Sequence, residues 1–345
     1  KLIIVGKEKE LTYEDDYGEV ETVRKPVKRI VTGWLDSTEI LKALDAEDKI
    51  AGIDKYTAKN TILYPEISKL PLVGSPFVSG IDAEAVLNVN PDAFYLWVAT
   101  SRWAGGSTSY PGKSGKREFE RKLPGVTLIC LDVGNPDTFA ENVRKLGYIL
   151  DRRDVAEELI NFYEETLNTI KDQTAGISED EKRRVYMERG WGSYGLFGTP
   201  ILCEIAGGKN IAADLPSGVK VDAEWVMVQN PDIIIKGKGE YGGYLGFLFD
   251  DPSELRAIRE EMLNRLELAE VTAVKNGDVY VIDAGHLTIG PGTFIGAVYF
   301  AKWFYPELFE DLDPNAIHQE YLDRFMRIDY DLNKHGVFVY PPLEG

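Results

Sequence analysis

The sequence predicts an α/β protein of two Rossmann-like lobes joined by a single long spine helix, with a ligand cleft between the lobes. Three features support this. Short β-rich runs alternate with amphipathic helical runs on both sides of the chain's middle, the pattern of βαβ units around a mostly parallel sheet. Between residues 136 and 175 the alternation stops and apolar residues recur at helical spacing. A dozen residues also recur, one copy on either side of that stretch. Residues 81–92 read I-D-A-E-A-V-L-N-V-N-P-D and residues 221–232 read V-D-A-E-W-V-M-V-Q-N-P-D, identical at seven positions. In each copy an Asp caps a short helix, and Asn-Pro-Asp leads into a β-rich run.

In order along the chain, residues 1–5 and 19–23 read as an antiparallel hairpin turned at Asp16-Tyr17-Gly18. A strand follows at 30–32. Asp36 or Ser37 caps a helix over 38–44, where Ile40, Leu41 and Leu44 share a face. Strands fall at 49–53 and 71–74, a helix capped by Asp82 runs to Leu87, and strands recur at 92–97 and 126–131. Phe139, Val143, Leu146, Ile149, Val155, Leu159, Phe162, Leu167 and Ile170 then trace one continuous helix. Roughly 40 residues at ~1.5 Å each make it about 60 Å long, a length that suits a spine rather than a crossover. Beyond it come a strand at 184–188, helices at 200–206 and 223–228, a strand at 232–236, and two helical pieces over 251–268. A strand at 278–283 after the Asn276-Gly277 turn, a helix at 291–303 with Pro near its first position and a helix at 314–326 complete the pattern. The expected organisation is an N-terminal lobe over 1–135 (hairpin 1–28), a linking helix over 136–176 and a C-terminal lobe over 177–345.

With 345 residues the chain is long enough for two cores. Lys and Arg number 39 against 57 Asp and Glu, a net charge of −18 that repels nucleic acid and favours a basic partner. The most apolar stretch, 289–305, is interrupted by Pro291 and Lys302, so no segment has the ~18 apolar residues that cross a bilayer. The two cysteines, Cys130 and Cys203, sit in apolar surroundings and read as buried. With three histidines they make no zinc cluster.

The hairpin ending in Lys25-Pro-Val-Lys-Arg-Ile-Val31, then Ser37-Thr-Glu-Ile-Leu-Lys-Ala-Leu44, Leu72-Val-Gly74, the two Asp-Ala-Glu…Asn-Pro-Asp copies, Ala206-Gly-Gly-Lys-Asn-Ile211 and Ala273-Val-Lys-Asn-Gly-Asp-Val-Tyr280 stand in a characteristic order. In this order and spacing, over nearly the whole chain, the sequence resembles the class III substrate-binding proteins of ABC importers, which serve iron–siderophores, haem and vitamin B12. The resemblance implies an extracytoplasmic solute-binding protein, exported with a signal or lipid anchor that this chain does not include. It would be a monomer that carries an iron complex, a ferric siderophore or haem, as transported ligand without a covalently bound cofactor. It also implies that each lobe presents one surface Glu to Arg pockets on the membrane permease. The matching positions are Glu84 and Glu224, which also suit the first turn of a helix.

In open α/β sheets ligands bind beyond the carboxyl ends of the strands. That rule selects the loops 33–37, 55–56, 75–77 and 97–103 in the first lobe. In the second it selects 188–194, 237–244 and 284–286. These loops are rich in aromatic residues, whose faces suit a large flat or catechol-bearing ligand. The candidate contacts are Trp34, Asp36, Tyr56, Phe77, Trp103, Trp191, Tyr194, Tyr241 and Tyr244. Arg102 and Arg189 are candidates to pair with anionic oxygens. His286, following the 278–283 strand, is a candidate iron ligand or hydrogen-bond partner. His318 and His335 read as structural or exposed.

Gly106-Ser-Thr-Ser-Tyr-Pro-Gly112-Lys113-Ser114 has one residue too many for a phosphate loop and carries Pro111, so it reads instead as a cleft-lip loop with Lys113 and Lys116. No Gly-x-Ser-x-Gly elbow occurs. The expected function is therefore capture and delivery of a solute, without enzymatic chemistry. A corrinoid or a metal oxyanion is the alternative cargo. A metalloenzyme on a similar scaffold would need cluster-ligating cysteines that two isolated ones do not supply.

Overall fold

The computed structural model describes residues 10–74, 80–96, 98–99, 111–189, 193–196, 200–215, 219–239 and 245–343. These divide into two compact units. The first holds the described residues up to Tyr163 together with Leu322–Ile328, and the second holds Glu164–Tyr321 and the chain from Asp329 onward.

The first unit opens with a hairpin, β1 (Glu10–Glu14) and β2 (Val20–Arg24), in register Leu11↔Val23 and Tyr13↔Glu21. The sequence predicts residues 1–5 as the first strand. The strand observed is β1, because its alternation buries Leu11 and Tyr13 beneath the hairpin; residues 1–9 lie outside the described residues. The turn is as expected. Asp15 Oδ1 accepts the backbone N–H of Tyr17 at 2.9 Å and that of Glu19 at 2.8 Å, and Gly18 takes φ +71°.

The sheet of this unit runs β4–β3–β5–β6, all parallel, from β3 (Ile30–Thr32), β4 (Ile50–Gly52), β5 (Ala93–Tyr95) and β6 (Thr127–Ile129). The predicted strand at 71–74 is reduced to isolated bridges, Leu72 to Ile53 and Gly74 to Ile81. Helix α1 (Leu35–Ala43) begins earlier than predicted, with Trp34 as its N-cap. Ser37 is the third residue of the helix. Its hydroxyl accepts Trp34 N–H at 3.2 Å and donates to Trp34 O at 2.7 Å, closing the first turn on itself.

Helix α2 (Ala83–Asn88) is capped by Asp82, whose Oδ1 accepts Ala85 N–H at 3.0 Å. Helix α3 (Gly112–Lys122) replaces part of the predicted lip loop. Lys116 is not a lip residue. Its side chain is fully buried and donates to Asp15, Glu19 and Glu21 at 2.7, 2.8 and 2.5 Å, tying α3 to the hairpin. Burial alone would lower its pKa, but the three carboxylates outweigh that and keep it charged. Val31, Val86, Phe94, Phe119, Leu128 and Cys130 form the core beneath the sheet.

The continuous spine helix is also corrected. The segment forms two helices, α4 (Phe139–Leu150) and α5 (Arg153–Thr174), separated at Asp151, which is left-handed at φ +58°. Arg152 N–H returns to Gly147 O at 2.9 Å, a left-handed helix stop made without a glycine. At Gly147 a methyl group would come within 2.7 Å of Ala156 Cβ, so the two helices touch there. Helix α5 has 22 residues. At the helical rise it spans about 33 Å, and the division between units falls inside it.

The second unit's sheet runs β11–β10–β9–β7–β8, from β7 (Arg184–Glu188), β8 (Lys209–Asn210), β9 (Ile233–Lys238), β10 (Val279–Asp283) and β11 (Val339–Tyr340). Only β11 is antiparallel. Helices α6 (Pro200–Ile205), α7 (Ala223–Gln229), α8 (Ser253–Leu263), α9 (Thr272–Asn276), α10 (Thr293–Phe304) and α11 (Pro314–Tyr321) surround it, and α11 continues into a wider π-type turn, Leu322–Met326. The core contains Tyr186, Val226, Ile234, Met262, Val271 and Val279.

The two copies of the repeat have the same burial at every position from 81 to 90 and from 221 to 230. Val86 and Val226 each anchor the short helix in its own unit's core. No described helix is long and apolar enough to cross a membrane.

Helix α10 is apolar almost all round and buried along its length, the pattern of a core helix. It tolerates no added volume where it meets the backbone after β10. A methyl on Gly296 would lie 1.8 Å from Leu287 O. Gly296→Ala should lower stability by about 1–3 kcal/mol, read as a reduced thermal midpoint; an unchanged midpoint would show that the contact yields freely.

Candidate functional site

Three places bear on function: the carboxyl ends of the strands in each unit, taken separately, and the surface of the repeated helices.

In the first unit, β3 runs through Gly33 into the start of α1. Gly33 N–H donates to Tyr95 O at 2.9 Å. A methyl there would lie 3.0 Å from the Phe94 ring and 3.1 Å from Tyr95 O, so the chain turns tightly over β5. Trp34 is buried, with its ring edge-on to Tyr56 at 5.2 Å. Tyr56 is half-buried. The Lys55 ammonium sits 4.9 Å from its ring centre and that of Lys59 sits 5.6 Å from it, both within reach of the ring's negative face.

Asp36, in the first turn of α1, is only 7% exposed, and its Oδ1 has no hydrogen-bond partner. It lines a small hollow with Ser37, Tyr95, Leu96, Val98, Leu131 and Val133. Further acids gather around it. Buried Asp54 accepts Tyr56 N–H at 2.7 Å, Thr57 N–H at 3.2 Å and the Thr57 hydroxyl at 2.5 Å. Buried Asp132 accepts Gly134 N–H at 2.9 Å and donates its own backbone N–H to Asp16. Asn142 Nδ2 donates to Asp16 at 2.8 Å and to Asp132 O at 2.9 Å.

Burial, then the neighbouring Glu39, Asp132 and Asp54, pushes the Asp36 carboxyl well above the usual range, because each disfavours the charged form. Burial also raises Asp54 and Asp16, each to about 6, against the hydrogen bonds they accept.

The second unit handles its charge differently. Glu188, at the end of β7, is fully buried and accepts from Lys236 Nζ at 2.6 Å and from both Arg265 terminal nitrogens at 2.8 and 2.9 Å. Lys236 is its register partner on β9. Burial alone would raise Glu188, but the two cations outweigh that and hold it below the ordinary range, through charge-assisted hydrogen bonds to the ionised form. The Arg265 guanidinium lies over the Tyr194 ring at 5.0 Å, and the Tyr194 hydroxyl donates to Glu267 at 2.7 Å. Tyr194 packs against the unit's core rather than standing free. Arg189 is half-buried, and its backbone N–H bonds Gly195 O at 2.8 Å.

His286 is fully buried, with its Nε2 3.1 Å from Nε2 of His318 and its ring 5.0 Å from that of Phe247, so it lies in an aromatic cluster inside the unit. His318 is likewise buried, and desolvation followed by His286 lowers its pKa well below the usual value.

Phe77, Arg102, Trp103, Trp191, Tyr241 and Tyr244 lie outside the described residues. Sequence reasoning missed Asp54, Asp132 and the Glu188–Lys236–Arg265 cluster. The available signal was a charged residue inside an apolar strand: Glu188 and Lys236 each stand where a buried strand would otherwise continue.

On the surface, Glu84 and Glu224 are both exposed in the first turns of α2 and α7. One turn later each helix exposes an apolar residue, Leu87 at 40% and Met227 at 39%, and Val228 is 75% exposed.

Comparison with known proteins agrees with this architecture. A family profile described as Periplasmic binding protein matches residues 30–285. YvrC of Bacillus subtilis, an uncharacterized ABC transporter substrate-binding lipoprotein, is 24% identical over 312 residues, covering 87% of this chain and 87% of its own length. The molybdate-binding protein MolA of Haemophilus influenzae is 23% identical over 340 residues, covering 90% of this chain and 89% of its own. Among solved structures, the TroA-like periplasmic binding protein FepB from Veillonella parvula aligns with a TM-score of 0.73 and 25% identity over 95% of this chain and 98% of its own.

The Asp54 carboxyl titrates near 6 in the folded protein, above its ordinary 3.8. Between those values the folded state holds a proton that the unfolded chain has released, so stability is lost as pH rises through that window. Asp54→Asn should therefore gain on the wild type from about pH 4 to about pH 7, by up to about 3 kcal/mol. Parallel denaturant titrations check this; a constant difference across the window would contradict it.

Proposed function

Because the chain belongs to the periplasmic binding protein family, we propose that it captures an iron complex, a ferric siderophore or haem, outside the cytoplasm and delivers it to an ABC permease. Proteins of this kind are the solute-binding parts of ABC importers, and the chain is one of them.

The observation that carries delivery is the duplicated surface motif. Glu84 and Glu224 stand at the same position of two short helices, each capped by an Asp, anchored by a buried Val and matched in burial at every position. Two matched exposed carboxylates on a chain of net charge −18 suit a partner with two matched basic positions.

For the cargo, the support is the aromatic pair Trp34 and Tyr56 beside the buried carboxyls Asp36, Asp54 and Asp132 of the first unit. An organic envelope around a metal offers such a surface apolar area and hydrogen-bond donors; a bare oxyanion offers neither. The second reading is an oxyanion, favoured by the likeness to MolA.

A thermal-shift panel with haem, several ferric siderophores, cobalamin and molybdate separates these readings. One ferric chelate should stabilise strongly, by about 2.7 kcal/mol when present at a hundred times its Kd. A shift with molybdate alone would transfer the assignment to the oxyanion.

The docking reading has its own test. The double variant Glu84→Lys with Glu224→Lys should abolish solute uptake in cells while affinity for the solute stays within about twofold of wild type. Undiminished uptake by the double variant would remove the docking role.

A further inference from the structure

We infer that the Asp36 carboxyl receives a hydrogen-bond donor of the bound solute, so that the first unit's strand ends favour ammonium-, hydroxyl- or amide-bearing solutes over oxyanions. The inference rests on the solute-binding reading above and adds the chemistry of one contact.

The neighbouring carboxylates each have work within the fold. Asp54 organises the turn at Tyr56 and Thr57, Asp132 holds Gly134, and Asp16 receives Asn142 and the Asp132 backbone. Asp36 differs: its Oδ1 is enclosed yet accepts nothing. A buried acceptor left without a donor lowers the stability of the free protein, and such groups persist where a site uses them.

The walls of the hollow make the choice of solute. The Ser37 hydroxyl is engaged with Trp34, and the Tyr95 hydroxyl donates to Leu131 O at 2.9 Å. The other lining residues, Leu96, Val98, Leu131 and Val133, are apolar. Among the described lining residues the Ser37 and Tyr95 hydroxyls are therefore committed, while a donor entering the hollow meets an Asp36 oxygen with no partner. Glu39, Asp54 and Asp132 add further negative potential against an oxyanion.

The test uses the full chain as wild type, Asp36→Asn and Asp36→Leu, each first melted without solute. A residue kept for binding should leave the melting temperature of both variants equal to or above that of the wild type. A fall of about 5 °C or more in both would make Asp36 a structural residue and overturn the inference.

The probes are then ferrioxamine B, a ferric hydroxamate with a pendant ammonium, and molybdate, each titrated by calorimetry. Ferrioxamine B should bind the wild type and lose about tenfold or more in affinity for Asp36→Leu, equivalent to about 1.4 kcal/mol, with Asp36→Asn in between. Molybdate should bind the wild type more weakly than ferrioxamine B does. Equal affinity of ferrioxamine B for all three proteins, or equal or tighter binding of molybdate by the wild type, overturns this inference and leaves solute binding intact. If neither probe nor any member of the wider panel binds, both readings fall together.

Discussion

The register of each central parallel strand pair depends on one aspartate. Asp92 Oδ2 accepts the backbone N–H of Lys28 and Arg29 at 2.7 and 2.9 Å, and Asp232 Oδ2 accepts that of Arg184 at 2.8 Å. Each is the last residue of an Asn-Pro-Asp, and each holds the neighbouring strand at its start. The arginine so positioned reaches back to the end of the preceding helix, Arg29 to Val89 O at 2.6 Å and Arg184 to Gln229 O at 2.7 Å. Asn90 at φ +47° and Asn230 at φ +40° turn the chain between helix and strand, in the left-handed conformation that Asn tolerates better than most residues. One carboxylate thus sets the strand register, satisfies terminal backbone groups that would otherwise be stranded, and fixes the helix that presents Glu84 or Glu224. The strands β3, β5, β7 and β9 of these pairs are only three to six residues long, so side-chain clamps carry much of the specification that longer ladders would supply.

At the other end of the strands the two units treat buried charge in opposite ways. The second unit neutralises it locally. Glu188 receives Lys236 and a bidentate Arg265, leaving a cluster whose removal by halves would be strongly destabilising. The first unit gathers Asp36, Asp54, Asp132 and Asp16 near its strand ends, and burial raises Asp54 and Asp16 to about 6. Acids raised by burial and by one another recur at functional sites. The contrast shows that the acid cluster is not a general requirement of this sheet architecture.

What can be read from the sequence follows from the range of the interactions. The repeat, the parallel strands and the caps at Asp82 and Asp222 are local, and residue types at fixed spacing report them. The break between α4 and α5 has no Gly or Pro; it depends on Asp151 accepting a left-handed conformation, its carboxylate meeting Lys25 from the hairpin. Lys116 has the sequence surroundings of a surface lysine in a glycine-rich loop, because its three carboxylates lie 95 to 101 residues away. His286 has those of a loop ligand, because His318, 32 residues later, is the group it faces. Periodicity carries no information about such pairs. The Asp36 position is legible from the rule about strand ends, whereas its unmatched acceptor oxygen emerges only once the neighbours' hydrogen bonds are assigned.

The parts that the two units share and the parts in which they differ divide by task. The aspartate clamp recurs in both, and the capped helix, its exposed Glu and the apolar residue a turn later match in burial from 81 to 90 and from 221 to 230. The polar groups at the strand ends do not match: a cluster of acids in one, a closed ion cluster in the other. A partner with two equivalent basic positions requires matched copies, because a change in either would weaken one half of the contact. A solute has no such symmetry, so its contacts are free to diverge between the units. On the proposed docking role the duplicated part belongs to the transporter and the divergent part to the cargo, and substitutions in one class should leave the other's function unchanged.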